Sequence, residues 1–318
     1  MRERIRGSLI GMSVAMAFLA LTFHPLRPEV IGSSASQSQV PLVINELLAR
    51  VPNDDPMTMD VIEGDANGDG TRNASLDACV ELVNAGMDPL DITGYEVDGS
   101  NSPRSLVFPM GTVAPPGEAV VIFGGGDLAM SRLEFGNTRA LGLVFTVGGS
   151  NGFGFNSSGD SVIVRDPMGR EVARLDYTDT TPVPQPVFQS FNRNPELTGP
   201  FASHRDVMGA GQRAFSPGTR VDGRAFRRLI SRLTPNGGLL QGGNPVTIDG
   251  AGFGTQIASV TFGGQAATEV MRVNSLRLVV TAPAASMAGT VDVVVRDQFG
   301  DIAAKGAYTY ASAPPPPY

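Results

Sequence analysis

The feature that most constrains this chain is a rhythm. Short runs rich in β-branched and aliphatic residues, among them "PLVINELL", "CVELVN", "LDITGYEV", "EAVVIFG", "DSVIVRD" and "EVARLDYTD", are separated by Gly, Pro, Asn and Asp at intervals of roughly 8 to 15 residues. Such runs are too short for helices and match the strand spacing of a β-sandwich. After residue 40 no segment carries the 3.6-residue apolar period of an amphipathic helix. With 39 Gly, 24 Pro and no Trp in 318 residues, the chain is expected to be all-β and long enough for two folded units.

The first residues differ. Arg2, Arg4 and Arg6 precede an uncharged run from Gly7 to Phe23, the pattern of a secretory signal, and Ser33-Ser34-Ala35 offers small residues for cleavage. Residues 1–35 are therefore read as a signal peptide, with an uncleaved anchor as the alternative; the run falls short of the ~20 residues of a spanning helix. Removing Arg2, Arg4, Arg6, Arg27, Glu3 and Glu29 leaves 20 basic and 29 acidic residues, a net charge near −9. That balance opposes nucleic-acid binding, and the signal pattern implies a secreted or cell-envelope protein. A single cysteine, Cys79, excludes an internal disulfide, and its place in "CVELVN" reads as a small buried strand residue.

From Thr181 to Gly223 the chain is rich in Pro, Gly and Asn, with Phe188, Phe191, Phe201 and Phe215 spread through it. Spaced aromatics predict a long tail packed onto the first sandwich instead of a free linker. A new strand-rich block follows from Arg227 to about Ala311, and the chain closes on "PPPPY", an extended stub. The organisation read from these shifts is 1–35 export segment, 40–223 first domain with tail, 224–311 second domain and 312–318 stub.

Two resemblances sharpen this. "INE" (44–46), "GDANGDG" (64–70), "VELVN" (80–84), "LDITGYEV" (90–97), "PPGEAVVIFGGG" (115–126), "QSFNRNPELTG" (189–199) and "FSPG" (215–218) occur in an order that resembles the lamin-tail domain of exported bacterial proteins. "ISRLTPNGGLLQGGNPVTIDGAGFG" (230–254), "VTFGGQAA" (260–267), "LRLVVTAPA" (276–284), "GTVDVVV" (289–295) and "YTY" (308–310) resemble the IPT/TIG domain. The resemblances imply two immunoglobulin-like β-sandwiches in tandem that serve as interaction modules. Cys79 departs from the first pattern, where a larger apolar residue is expected.

The stretch "GDANGDGTRNASLD" carries the one candidate metal set. With Asp65 as position 1 of an EF-hand-type loop, Asn67 stands at 3, Asp69 at 5, Gly70 at 6 and Thr71, through its carbonyl, at 7. Position 12 is Leu76, and Asp77 lies one residue late. The loop reads either as a bulged structural calcium site with ligands Asp65, Asn67, Asp69, Thr71 and Asp77, or as a solvated Asx/Gly turn.

No enzyme machinery is expected. "GGSNG" around Ser150 matches a nucleophile-elbow pattern but lacks the following helix. His204, in "SHRD", reads as a surface histidine beside an ion pair. The basic stretch "RAFRRLISR" (224–232) is expected to pair with acids of both domains across their boundary. The functional expectation is an exported, non-enzymatic binding or adhesion module with a protein or glycan partner at the cell envelope; the alternative is an accessory protein of an extracellular hydrolase system.

Overall fold

The computed structural model describes residues 40–312, apart from 56, 58–61, 100–104, 157 and 179–187. The expected export segment and the stub beyond 312 lie outside the described residues. The described chain is β throughout except for one 3₁₀ turn, His204–Asp206.

In the first domain the strands, numbered along the chain, are β1 (Leu42–Leu48), β2 (Cys79–Asn84), β3 (Leu90–Asp91), β4 (Glu96–Gly99), β5 (Ser105–Val107), β6 (Val113–Ala114), β7 (Ala119–Phe123), β8 (Val144–Thr146), β9 (Gly159–Arg165), β10 (Glu171–Thr178), β11 (Phe191–Arg193) and β12 (Phe201–Ser203). One sheet runs β12-β11-β1-β2-β7-β8 and the facing sheet β10-β9-β4-β5, with β3 and β6 as a small ribbon. The expected strand "LDITGYEV" is divided into β3 and β4, because Gly94 turns the chain with φ of 73°. "DPMGR" makes a tight turn between β9 and β10, closed by Asp166 N–H donating to the Arg170 carbonyl at 2.9 Å.

The inner faces alternate as a half-buried sheet must. Ile44, Leu47, Val80, Leu82, Val120 and Ile122 pack against Val97, Val162, Val164, Leu175 and Tyr177 to form the main core. One irregularity decides what lies on the other face. β1 pairs with β2 through Ile44↔Leu82, then Glu46↔Glu81, then Leu47↔Val80, so Asn45 is an extra residue. This bulge reverses the alternation: Ile44 and Leu47 both face inward, and Glu46 is turned to the outer face, directly opposite Glu81. Leu48, Cys79, Val121 and Phe123 share that outer face, and it too is buried.

The second domain consists of β13 (Leu229–Thr234), β14 (Gly237–Leu239), β15 (Pro245–Ala251), β16 (Ile257–Phe262), β17 (Gln265–Ala266), β18 (Thr268–Asn274), β19 (Arg277–Thr281), β20 (Gly289–Asp297) and β21 (Gly300–Ala311). Sheets β13-β15-β19-β18 and β14-β21-β20-β16-β17 face each other. Between them lie Val246, Ile248, Phe253, Phe262, Leu278, Val293, Val295 and the edge-to-face pair Phe262–Tyr308, with centroids 4.9 Å apart. Gly263 and Gly264, both at positive φ, make the two-residue hairpin that their sequence predicts. Both sandwiches belong to one compact unit, Gln39–Tyr318.

Candidate functional site

The tail beyond residue 187 folds back over the outer face of the first sheet, and a buried polar network fixes it there. Glu46 and Glu81 are both fully shielded from solvent. Burial of an ionised carboxylate is costly, so each oxygen is expected to find donors. Glu46 Oε1 accepts from Ser190 Oγ at 2.6 Å and from the Ser216 amide at 2.9 Å, and Oε2 accepts from Ser216 Oγ at 2.9 Å. Glu81 Oε1 accepts from Asn45 Nδ2 at 2.8 Å and Oε2 from the Gly218 amide at 2.7 Å. The bulge residue completes the set: Asn45 Oδ1 accepts from the Leu197 amide at 2.8 Å. Every one of these tail donors lies more than 130 residues along the chain from its acceptor.

His204 belongs to the same network and is not a surface histidine: it is fully buried. Its Nδ1 lies 3.0 Å from the Arg213 carbonyl, which can only accept, so Nδ1 carries a proton. Its Nε2 lies 2.9 Å from Ser216 Oγ. One hydroxyl proton cannot serve both Nε2 and Glu46 Oε2, so the His204–Ser216–Glu46 chain is complete only with one proton beyond neutral imidazole and carboxylate. Burial pushes the His204 pKa down, with Glu46 acting against it. Burial, and secondarily the neighbouring Glu46, pushes the Glu81 pKa well up.

Serine, histidine and a carboxylate in contact invite comparison with a nucleophilic triad, but the order is wrong for one. The serine stands between the other two, the second imidazole nitrogen is spent on a carbonyl, and Ser216 is only 4% exposed. The network holds a polypeptide segment in place. Ser150 lies in an exposed turn after β8, and no helix follows it among the described residues.

Aromatic packing supports the tail as expected for three of its four phenylalanines. Phe191 meets Tyr177 at 5.8 Å, Phe201 lies under the Arg193 guanidinium at 4.5 Å, and Phe215 joins Phe123 and Phe135. Phe188 stays 37% exposed. Gly218, at φ of 78°, has no room for a side chain: a Cβ would stand 2.4 Å from the Phe135 carbonyl oxygen.

The candidate calcium residues are brought into one closed loop. Asp65 Oδ1 and Asn67 Oδ1 both accept from the Asp69 amide, at 3.1 and 2.9 Å, Asp65 Oδ2 accepts from Gly70 at 2.8 Å, and Asp69 Oδ1 from Thr71 at 2.9 Å. Asp77 is buried and accepts from the Asn67 and Asn73 amides at 3.1 and 2.6 Å; its pKa is pushed up to about 6, chiefly by burial. The loop is tied to the sandwich by Asp69 Oδ2, which accepts from Asp127, and by Asn67 Nδ2, which donates to the Gly125 carbonyl. Among the described residues no three His, Cys, Asp or Glu side chains converge as a metal-binding group.

The two sandwiches meet through groups the sequence did not mark. Asn137, 1% exposed, donates to Glu118 Oε1 at 3.0 Å and to the Arg227 carbonyl at 3.0 Å, and accepts from the Gly252 amide at 2.7 Å. Burial raises the Glu118 pKa to about 7, against the Asn137 hydrogen bond and the Arg227 charge. Arg272 of the second domain binds both oxygens of Glu134 of the first and also the Phe253 carbonyl at 2.9 Å. Among the arginines of 224–232, Arg224 pairs with Asp222, Arg228 with Asp297 and Arg232 with Asp249. Asp222 belongs to the first domain, as does Glu118, on which the Arg227 charge acts, while Asp297 and Asp249 belong to the second, so the stretch meets acids on both sides of the boundary. A cleft of about 220 Å³ opens where the sandwiches meet, lined among others by Phe253, Thr255, Ser275, Gln298 and Phe299.

The sequence matches the Lamin Tail Domain family over residues 35–179 and the IPT/TIG domain family over residues 229–310. The chain thus carries a lamin tail domain followed by an IPT/TIG domain. No curated protein is matched. Among solved structures, it is similar to an auxiliary nutrient binding protein from Bacteroides ovatus ATCC 8483, at 23% identity over 27% of this chain and 21% of that one, with a TM-score of 0.23. It is also similar to SGBP-B from a complex xyloglucan utilization locus in Bacteroides uniformis, at 13% identity over 73% of this chain and 45% of that one, TM-score 0.23. The plexin A4 extracellular region gives 14% identity over 88% of this chain and 16% of that one, TM-score 0.25. The chain spans less than half the length of each, and TM-scores this low fix neither fold nor function.

The buried pair generates a pH prediction. The folded Glu81 pKa lies above its ordinary value of 4.5, so its contribution to stability is full below that value and is lost as pH rises through the folded value. Glu81→Gln carries no ionisable proton. The melting temperature of the variant should therefore gain on that of the native protein as pH rises above 4.5. His204 acts in the opposite sense, losing its contribution as pH falls, but it is common to both proteins and cancels in the difference. A difference in melting temperature that stays constant over that rise would show that Glu81 does not titrate there.

Proposed function

We propose that this tandem of a lamin tail domain and an IPT/TIG domain is an exported, non-enzymatic binding module of the cell surface or extracellular space, whose partner is a protein or a glycan. The observation that carries the reading is the use made of the chain's Ser–His–carboxylate set: it is sealed under the tail and spent on holding it. What faces solvent is a stiff pair of sandwiches with loops at their ends and a cleft at their junction, a scaffold suited to surface recognition. Among the described residues no helix is long and apolar enough to cross a membrane, and export rests on the charged start and uncharged run of residues 1–23. A screen of the protein against immobilised glycans and envelope proteins, run beside esterase, glycosidase and phosphatase assays, tests the reading. Saturable binding without turnover is expected; turnover abolished by a single substitution would overturn it.

The loop 64–77 is proposed to take one structural calcium ion through Asp65, Asn67, Asp69, the Thr71 carbonyl and Asp77. Carboxylate oxygens already bonded to amides keep a lone pair for a flexible shell of six to eight oxygens. The ion closes a loop that its own Asx turns already shape, and without a bidentate acid at position 12 its dissociation constant is expected at roughly 10⁻⁵ to 10⁻³ M. Calcium at about 100 times that constant would add about 2.7 kcal/mol, a rise of several degrees in melting temperature. Titration calorimetry should show heat for the native protein and none for Asp65→Ala, Asp69→Ala. The same absence of heat in both at millimolar calcium would make the stretch a polar turn.

A further inference from the structure

Methionine is among the residues most often found fully buried, because its flexible thioether fills gaps in cores. This chain does the opposite. Of its 12 methionines, eight lie among the described residues, and all eight are between 55% and 94% exposed. None enters any of the four buried clusters, which are built from Val, Ile, Leu, Phe, Tyr, Ala and Cys.

Their placement is as consistent as their exposure. Met110, Met168 and Met208 each stand in a turn immediately before a glycine at positive φ, Gly111, Gly169 and Gly209, a position that holds the side chain at the tip of the turn. Met57, Met87, Met130 and Met287 also lie in turns or bends, and Met271 lies on β18, the edge strand of its sheet. They are spread over the turns of both sandwiches, which argues against a single apolar docking patch. What they share is access to small solutes and independence from the core.

We propose that these eight thioethers are a sacrificial sink for peroxides. Each sulfur gives an electron pair to one oxygen of the peroxide as the O–O bond breaks. The sulfur keeps that oxygen as a sulfoxide, and the other leaves as water, or as an alcohol from an organic hydroperoxide, in a two-electron step that a sulfoxide reductase reverses. In a core this change would place a polar S=O among apolar groups and loosen the packing. At a turn tip the new oxygen is solvated at once, so the fold carries the oxidised form without strain. The one thiol does not compete. Cys79 is fully buried, out of reach of a peroxide in solution. The inference does not depend on the identity of any binding partner.

The test treats the full chain with excess hydrogen peroxide, with free methionine in the same solution as a clock, and follows each site by peptide mass spectrometry. All eight sites are expected to oxidise within ~3-fold of the free amino acid, with a melting-temperature change under ~3 °C, a Cys79 thiol still alkylatable after unfolding, and full reversal by sulfoxide reductases. A variant with all eight changed to leucine should fold alike and consume about eight fewer peroxide equivalents per chain. A slower rate at any of the eight, a larger drop in melting temperature, loss of the thiol first, or unchanged peroxide consumption by the variant overturns the proposal.

Discussion

The first domain depends on two buried acids, Glu46 and Glu81, that its tail supplies with donors. Glu46 and Glu81 face each other across two strands, shielded from water, and their donors other than Asn45 come from a tail without regular structure over most of its length. Hydrogen bonds to charged groups contribute about 1.5–3 kcal/mol each, and a buried acceptor left without its donor costs a comparable amount. The exposed ion pairs elsewhere, such as Arg296–Asp301 and Lys305–Asp292, contribute about 0–1 kcal/mol apiece. The network under the tail therefore outweighs them, and it substitutes for the disulfides that one cysteine cannot make.

The dependence runs in both directions. Without the tail, the outer face of β1, β2 and β7 would expose Leu48, Val121 and Phe123 together with two acids. Without the acids, "QSFNRNPELTG" would keep the pairing of β11 with β1 and "FSPG" its apolar contacts, but the Ser190, Ser216 and Gly218 donors would lose their acceptors. The Asn45 bulge makes the arrangement available, since regular alternation after Ile44 would point Glu46 into the main core. The same logic recurs at the junction, where the buried Asn137 satisfies a buried acid of one domain and an amide of the other. The sandwiches are thereby joined by directional bonds as well as by contact.

Much of this was legible in the sequence. Strands such as "CVELVN" and "DSVIVRD" declare themselves through β-branched residues between turn signals, and the Gly263–Gly264 hairpin follows from backbone freedom. Local chemistry also placed the Asp65, Asn67 and Asp69 side chains in one loop. What was not legible is convergence across long separations. A glutamate in a strand gives no local sign of burial, and His204 next to Arg205 and Asp206 reads as surface; Glu46 and Glu81 are covered by a tail far along the chain, and His204, itself in that tail, is buried against them through Ser216. The junction was hidden for the same reason: Glu134 and Arg272 sit in unremarkable local sequence and lie far apart along the chain.

The central claim is that Glu46 and Glu81 hold the tail by hydrogen bonds that apolar packing cannot replace. Hydrogen–deuterium exchange of Glu46→Ala against the native protein, at a pH and temperature where both retain a β-sheet signal, tests it most directly. The account predicts a large loss of protection confined to the amides of residues 190–218, with β7, β9 and the whole second domain unchanged. Protection of the 190–218 amides equal to that of the native protein would contradict it and would show that the pairing of β11 with β1 and the phenylalanines suffice to keep the tail in place.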